Sequence, residues 1–264
     1  MFLTQLEQKT SNEYLTQGYI IRPAADLEAL EWVRNQFIYL ISEALNIKSN
    51  DKPEDILNYI HQKVAAKELN AFRLKIINGF NALKEFREMY FRVARPYLEC
   101  LVGNELAMQL RVNLSIQMPE DDSSLLPIHA DTWSGDSPFE VVAWIPLVDC
   151  YRTKAMYILP PAPSKELNQQ FINYSKNSSE DLYKSIKDKI EWLEVAYGEV
   201  LIFDQALPHG NLVNDELETR WSMNCRFKGV FTPYGDKKIG EFFEPITLRA
   251  ASRIGIDYRL PKIK

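Results

Sequence analysis

The chain has 264 residues, enough for one large domain or two small ones around a sizeable core. Its 46% hydrophobic and 25% charged residues are ordinary globular values, and a net charge of -5 leaves no basic excess to neutralise nucleic-acid phosphates. No apolar run approaches the ~20 residues that span a bilayer, so neither nucleic acid nor membrane is an expected partner. The opening "MFLTQLEQKTSNEY" lacks the basic-then-apolar order of a secretory signal. Three scattered cysteines, Cys100, Cys150 and Cys225, fit neither a disulfide framework nor a zinc knuckle, and free thiols in a cytoplasmic protein are expected.

Helical spacing dominates the first 110 residues. In "DLEALEWVRNQFIYLISEAL" the apolar Leu27, Leu30, Val33, Phe37 and Ile41 recur behind an Asp26 cap. His61, in "ILNYIHQKVAAK", sits in a further helical stretch with no acid or cysteine at ligand spacing, and reads as a packing or surface histidine. In "FRLKIINGFNALKEFREMYFRVARPYLECLVG" the stripe is Ile76, Phe80, Leu83, Phe86, Tyr90 and Val93, with a bend or restart expected at Pro96. After Gly103 the pattern changes to strands. "MQLRVNLSIQMP" alternates Arg111, Asn113, Ser115 and Gln117 against Val112, Leu114 and Ile116. "FEVVAWIPLVD", "KAMYILP", "EWLEVAYGEVLIFD", "RWSMNCRFKGVF" and "ITLRAAS" follow as short strand candidates. The polar segment 161–188 reads as an insertion or mobile loop. The expected fold class is α+β with a mainly β core, a sandwich or jelly roll buttressed by N-terminal helices. One domain over 1–264 is expected, helical over 1–110 and β over 111–264.

"PIHADTWSGDSP" places His129 and Asp131 two apart, and in extended chain such residues point to one side. A third ligand is available from His209 in "LIFDQALPHGNL", at the end of another predicted strand. Two histidines and one carboxylate on one face are the ligand set of non-haem Fe(II) oxygenases, with three positions left for a 2-oxo acid and dioxygen. Zinc hydrolases can use the same ligands, so the triad alone leaves the metal open. Eleven residues beyond His209 comes "RWSMNCRF". Alternation there puts Arg220, Ser222, Asn224 and Arg226 on one face, and Trp221, Met223, Cys225 and Phe227 on the other. An inward arginine is costly unless it meets a carboxylate, which its planar fork can hold through two hydrogen bonds. Ser222 can add a hydroxyl to the same oxygens.

"HAD" at 129–131, "LPHGN" at 207–211 and "RWSMNCRF" at 220–227 resemble the motifs of the Fe(II)/2-oxoglutarate-dependent oxygenases, most of all the phytanoyl-CoA dioxygenase-like group. "AWIPLVDC", "MYILP" and "YGEVLIFD" are similar to that group's strands in the same order, and "QGYIIRP" to its N-terminal strand. The resemblance implies a double-stranded β-helix (jelly-roll, cupin-like) core, Fe(II) on His129, Asp131 and His209, and O2 as oxidant. It also implies 2-oxoglutarate as cosubstrate, with its distal carboxylate on Arg220 and Ser222. Gln117 is a candidate for the keto-acid end, Trp144 for a place beside the metal, and Asn113, Trp133 and Arg226 for substrate contacts. The implied reaction is oxidation of a small polar metabolite. The "DTWSGDSP" loop resembles members from carbohydrate biosynthesis clusters, which points to a sugar or nucleotide sugar. Two alternatives remain: a metal-dependent hydrolase or isomerase on the same fold, and a non-catalytic carbohydrate-binding jelly roll. Oligomeric state is left open.

Overall fold

The computed structural model describes residues 2–47, 51–170 and 178–261. Helix α1 (Gln5–Gln17) leads into strand β1 (Tyr19–Pro23). α2 (Leu27–Leu45) starts on Asp26, whose carboxylate accepts a hydrogen bond from the Ala29 amide at 2.9 Å. It buries Leu30, Val33, Phe37 and Ile41, whereas Leu27, in the first turn, stays exposed. α3 (Pro53–Asn58), α4 (Leu69–Asn81) and α5 (Phe86–Leu101) complete this layer. His61 lies in a short 3-10 turn, its Nδ1 2.9 Å from Thr219 Oγ1.

The expected bend at Pro96 is corrected: Pro96 lies inside α5, and the break comes earlier, between α4 and α5. Pro96 is on the exposed side, where the helix carbonyl it leaves unbonded can be hydrated. The end of α4 is tied down instead, because Asn81 donates to the Ile77 and Val112 carbonyls and accepts from the Val112 amide.

Nine further strands follow among the described residues: β2 (Leu106–Gln109), β3 (Asn113–Gln117), β4 (Glu140–Pro146), β5 (Met156–Ile158), β6 (Glu191–Leu193), β7 (Glu199–Asp204), β8 (His209–Gly210), β9 (Arg220–Gly229) and β10 (Phe243–Pro245). The large sheet runs β1-β7-β4-β9-β2-β10, with β3 also paired to β9, and the small sheet runs β6-β5-β8. Every strand pairing is antiparallel. This is the expected jelly-roll class, a mainly β core with helices on one side.

Period-two alternation sorts the strands into two apolar layers. Val141, Ala143 and Ile145 of β4 join Trp221, Met223, Cys225 and Phe227 of β9 in the core against the helices. Their neighbours Val142 and Trp144 face the other way, packing with Leu201 and Phe203 of β7 and with Met156, Ile158 and Leu193 of the small sheet. The Trp221 indole donates to the Leu57 carbonyl at 2.9 Å, fixing α3 to the sheet. All three cysteines are free.

Two expectations need correction. "ITLRAAS" forms no strand; helix α8 (Ala250–Asp257) begins on its alanines, good helix formers, and β10 occupies the sheet edge beside β2. The 161–188 segment carries two helices, α6 (Pro161–Gln169) and α7 (Ser179–Ile186), while 171–177 lie outside the described residues. Ser178 and Asp181 form a reciprocal cap, and Leu167, Leu182 and Ile186 pack with Tyr157 and Leu159, so the segment is anchored to β5.

Candidate metal centre

His129 and His209 face each other as a single antiparallel bridge. His129 N donates to His209 O at 3.0 Å, and His209 N donates to His129 O at 2.8 Å. Opposed residues of such a pair carry their side chains to one side of the sheet, and the two imidazole rings lie 4.4 Å apart. Gly210 is required next to His209, since a Cβ there would fall 2.8 Å from the Leu126 carbonyl oxygen. Each histidine donates Nδ1–H to a carbonyl two residues back, His129 to Pro127 O at 2.7 Å and His209 to Leu207 O at 2.8 Å. A carbonyl only accepts, so both protons sit on Nδ1 and both Nε2 lone pairs are free to bind a cation. Burial pushes His209 down to about 4, which keeps it neutral at pH 7.

Asp131 opens a 3-10 turn (Asp131–Ser134) rather than continuing a strand, yet its amide donates to Gln205 O and holds it beside the bridge. Asp131 Oδ1 lies 3.6 Å from His129 Nε2. Ligand atoms of His129, Asp131 and His209 all lie within 4.8 Å of one another, so the triad can hold a metal ion. Burial would raise the Asp131 carboxyl, but the Arg226 guanidinium and then His209 outweigh it and hold the group below its ordinary value. Arg226 Nη2 donates to Asp131 Oδ2 at 2.7 Å, and Arg226 Nε donates to Gln205 Oε1 at 2.8 Å. Beyond it, Asp136 Oδ2 lies 3.7 Å from Arg226 Nη2 and also accepts from Lys237 Nζ at 2.7 Å. One carboxylate oxygen of Asp131 is thus engaged by the protein, and the other faces the histidines.

Six residues earlier on the same face of β9, Arg220 has different company. It is 3% exposed, and its donors reach only neutral acceptors: Nη1 to Ala155 O at 3.2 Å and Nη2 to Ser115 Oγ at 2.9 Å. Its Nε, and the Oγ of equally buried Ser222, have no hydrogen-bond partner. Burial pushes Arg220 down to about 10, still a cation at neutral pH. Among the described residues no carboxylate pairs with it.

The triad, Arg220, Trp144, Asn113 and Arg226 line one cavity of about 500 Å³. Ser222, Gln117 and Trp133 do not line it. Ser222 is buried across the β3–β9 ladder from Ser115, and Trp133 sits in the 3-10 turn that Asp131 opens. Gln117, directly opposite Arg220, is fully buried with its amide committed to the Leu212 carbonyl and Asn211. Sequence reasoning placed Ser115 on the polar face without a role. It gave no sign of Arg73, which lines the cavity from α4, or of Gln205 and Asp136, which surround Arg226.

No protein-family model matches the chain, and no curated protein sequence matches it either. Among solved structures it is similar to EctD from S. alaskensis with 2-oxoglutarate and 5-hydroxyectoine bound, at TM-score 0.54 and 13% identity over 86% of this chain and 77% of that one. The epimerase SnoN in complex with Fe3+, α-ketoglutarate and nogalamycin RO superposes at TM-score 0.53 and 14% identity, covering 92% of this chain and 93% of its own. HygX from Streptomyces hygroscopicus, with nickel and 2-oxoglutarate bound, gives 0.52 and 14% over 88% and 89%. At these identities the likeness is one of fold: this chain has the jelly-roll architecture of those proteins. No helix among the described residues is long and apolar enough to cross a membrane.

Proposed function

We propose that the chain is a non-haem Fe(II)/2-oxoglutarate-dependent oxygenase of the phytanoyl-CoA dioxygenase-like kind, oxidising a C–H bond of a small polar metabolite. The observation that carries the reading is Arg220: a buried guanidinium without an anion, its Nε unsatisfied, in the cavity wall that holds the His129–Asp131–His209 triad, with the unsatisfied Ser222 hydroxyl two residues along the same strand. Orphaned buried donors are expensive and call for a ligand. A dicarboxylate with one end at the triad and the other at Arg220 supplies it.

His129, Asp131 and His209 would hold Fe(II) through two neutral Nε2 atoms and Oδ1. Iron so bound supplies the coupling of O2 reduction to oxidative decarboxylation of 2-oxoglutarate, giving succinate, CO2 and a substrate carrying one oxygen atom. The chain's own contribution is geometric. The Pro127 and Leu207 carbonyls fix the imidazole tautomers, and Arg226 fixes the Asp131 rotamer. Arg220 and Ser222 clamp the far carboxylate, while Trp144, Phe203 and Met156 keep the cavity wall apolar. Asn113, Asn224, Ser123 and Ser124 offer amides and hydroxyls suited to a hydroxyl-rich substrate such as a sugar or nucleotide sugar.

The test is an oxygen-free titration of the iron-loaded chain with 2-oxoglutarate, followed by charge-transfer absorption. Arg220→Ala should retain iron and lose 2-oxoglutarate affinity by on the order of 2–5 kcal/mol, roughly 30- to 4000-fold. Arg220→Lys should recover only part, because an ammonium cannot make two parallel hydrogen bonds. Unchanged affinity in the alanine variant would favour a hydrolase or isomerase that uses Arg220 on its substrate.

A further inference from the structure

The oxygenase reading leaves the substrate's charge open, and the geometry points to an anionic one: we propose that Arg73 receives a carboxylate or phosphate group of the substrate. This inference rests on the oxygenase reading for what occupies the triad and Arg220, and on three observations of its own.

The first is charge. The cavity wall carries three arginines, Arg73, Arg220 and Arg226, against the single carboxylate of Asp131, in a chain whose net charge is -5. A divalent cation and the 2-oxoglutarate dianion together add no net charge, so the cationic surplus persists when both are bound. A cavity of one sign in a protein of the other focuses its field inward and concentrates ligands of opposite charge.

The second is what Arg73 lacks. Around the groove beside α5, Arg87, Arg92 and Arg95 are each matched by an acid, Glu244, Asp26 and Glu99. Arg226 is matched by Asp131 and Asp136. Half-buried Arg73 donates Nη2 to the neutral amide oxygen of Asn70 at 2.7 Å, and among the described residues no carboxylate pairs with it. Its remaining donors are available to a ligand.

The third is location. Arg73 comes from α4 rather than from the barrel, and with Asn113 and Leu114 it lines both the metal cavity and an adjoining groove of about 600 Å³. That groove adds Arg111, which donates to Asn78 Oδ1 at 2.6 Å, against one acid, Glu241. Arg73 therefore stands where the metal cavity and the groove share a wall. In the same cavity wall, Asn113 Nδ2 donates to Asn224 Oδ1 at 2.9 Å, which ties two amides together there. A substrate with an oxyanion at one end and its oxidisable carbon at the other fits this order.

The experiment loads the full chain with Ni(II) and 2-oxoglutarate, so that no turnover competes, and measures binding by ligand-observed NMR in matched probe sets. The sets are glucose, glucuronate and glucose 6-phosphate; glycerol, glycerate and glycerol 3-phosphate; adenosine and AMP. In at least one set the anionic member should bind roughly tenfold or more tighter than its neutral partner, and the carboxylate and phosphate members separate the two sources of charge. Arg73→Gln should erase that preference, Arg73→Lys should keep most of it, and 2-oxoglutarate affinity should be the same in all three chains. No anionic preference in any set overturns the inference, as does a preference that survives Arg73→Gln or a loss of 2-oxoglutarate affinity in that variant. A wild-type chain that fails to bind 2-oxoglutarate overturns the oxygenase reading instead, and the anionic preference is then read from the same probes on the metal-free chain.

Discussion

Arg220 and Arg226 stand on one face of one strand, six residues apart, the first buried and the second largely so, and their surroundings are opposite. Arg226 is held by Asp131, Asp136 and Gln205. Arg220 is held by a hydroxyl and a carbonyl, with its Nε idle. A buried cation with protein carboxylates around it is part of the structure, and its work is to aim Asp131. A buried cation with only neutral neighbours is a cost to the folded chain, of the kind retained where a ligand repays it. Under the proposed function, the two ends of β9 separate what holds the site from what would bind there.

The largest effect that could break this comparison is on folding of the metal-free chain. Arg226→Met leaves Asp131 and Asp136 buried with Lys237 as their remaining nearby cation, and should cost about 3–5 kcal/mol, the range for removing one partner of a buried pair. Arg220→Met removes a charge that has no counter-ion and keeps similar bulk, so it should be neutral or stabilising. Urea unfolding of both variants decides it. Equal losses would mean that Arg220 is as much a structural residue as Arg226.

A smaller effect tests the aim of Asp131 rather than the stability of its surroundings. Arg226→Lys keeps the charge but cannot donate to Asp131 and Gln205 at once from a planar fork. Outer partners of metal ligands are typically worth 10- to 100-fold in affinity, so Fe(II) or Ni(II) should bind about that much more weakly while the fold survives. Calorimetric titration with Ni(II) reads this without turnover. Unaltered metal affinity would make Arg226 a packing residue only.

The contrast between the two arginines was half legible in the sequence. Alternation in "RWSMNCRF" orients both, because one face of β9 is wholly apolar and leaves a single choice of side. The triad was legible because only three histidines exist, and His61 lacks an acid or cysteine at ligand spacing. The pairing of Arg226 with Asp131 was not, since 95 positions separate them and their meeting depends on the β4–β9 register and on the 3-10 turn after Ala130. Gln117 was assigned by its face alone. Its amide is taken up by Leu212 and Asn211, from the segment after His209, which strand alternation does not describe. The helices of 161–188 were missed because a cap and two apolar residues one turn apart leave only a short periodic signal.

The finest test of the comparison is Ser222→Ala. The Ser222 hydroxyl is buried and unsatisfied, and it lies across the ladder from Ser115, which Arg220 already engages. If the Arg220 end is built for an absent carboxylate, the hydroxyl does nothing for the metal-free chain. Its removal should then leave unfolding stability within about 0.5 kcal/mol or raise it slightly, because a desolvated group without a partner is eliminated. In the proposed complex the same hydroxyl would donate to a charged oxygen, a bond worth about 1.5 kcal/mol at the low end, so 2-oxoglutarate should bind the variant roughly tenfold more weakly. Metal affinity should not change, since Ser222 touches none of the three ligands. Stability and affinity are measured on one preparation, by urea unfolding without metal and by titration with Ni(II) and 2-oxoglutarate. A variant that loses stability and keeps 2-oxoglutarate affinity would place Ser222 in the packing of β9, leaving Arg220 alone to hold the far carboxylate.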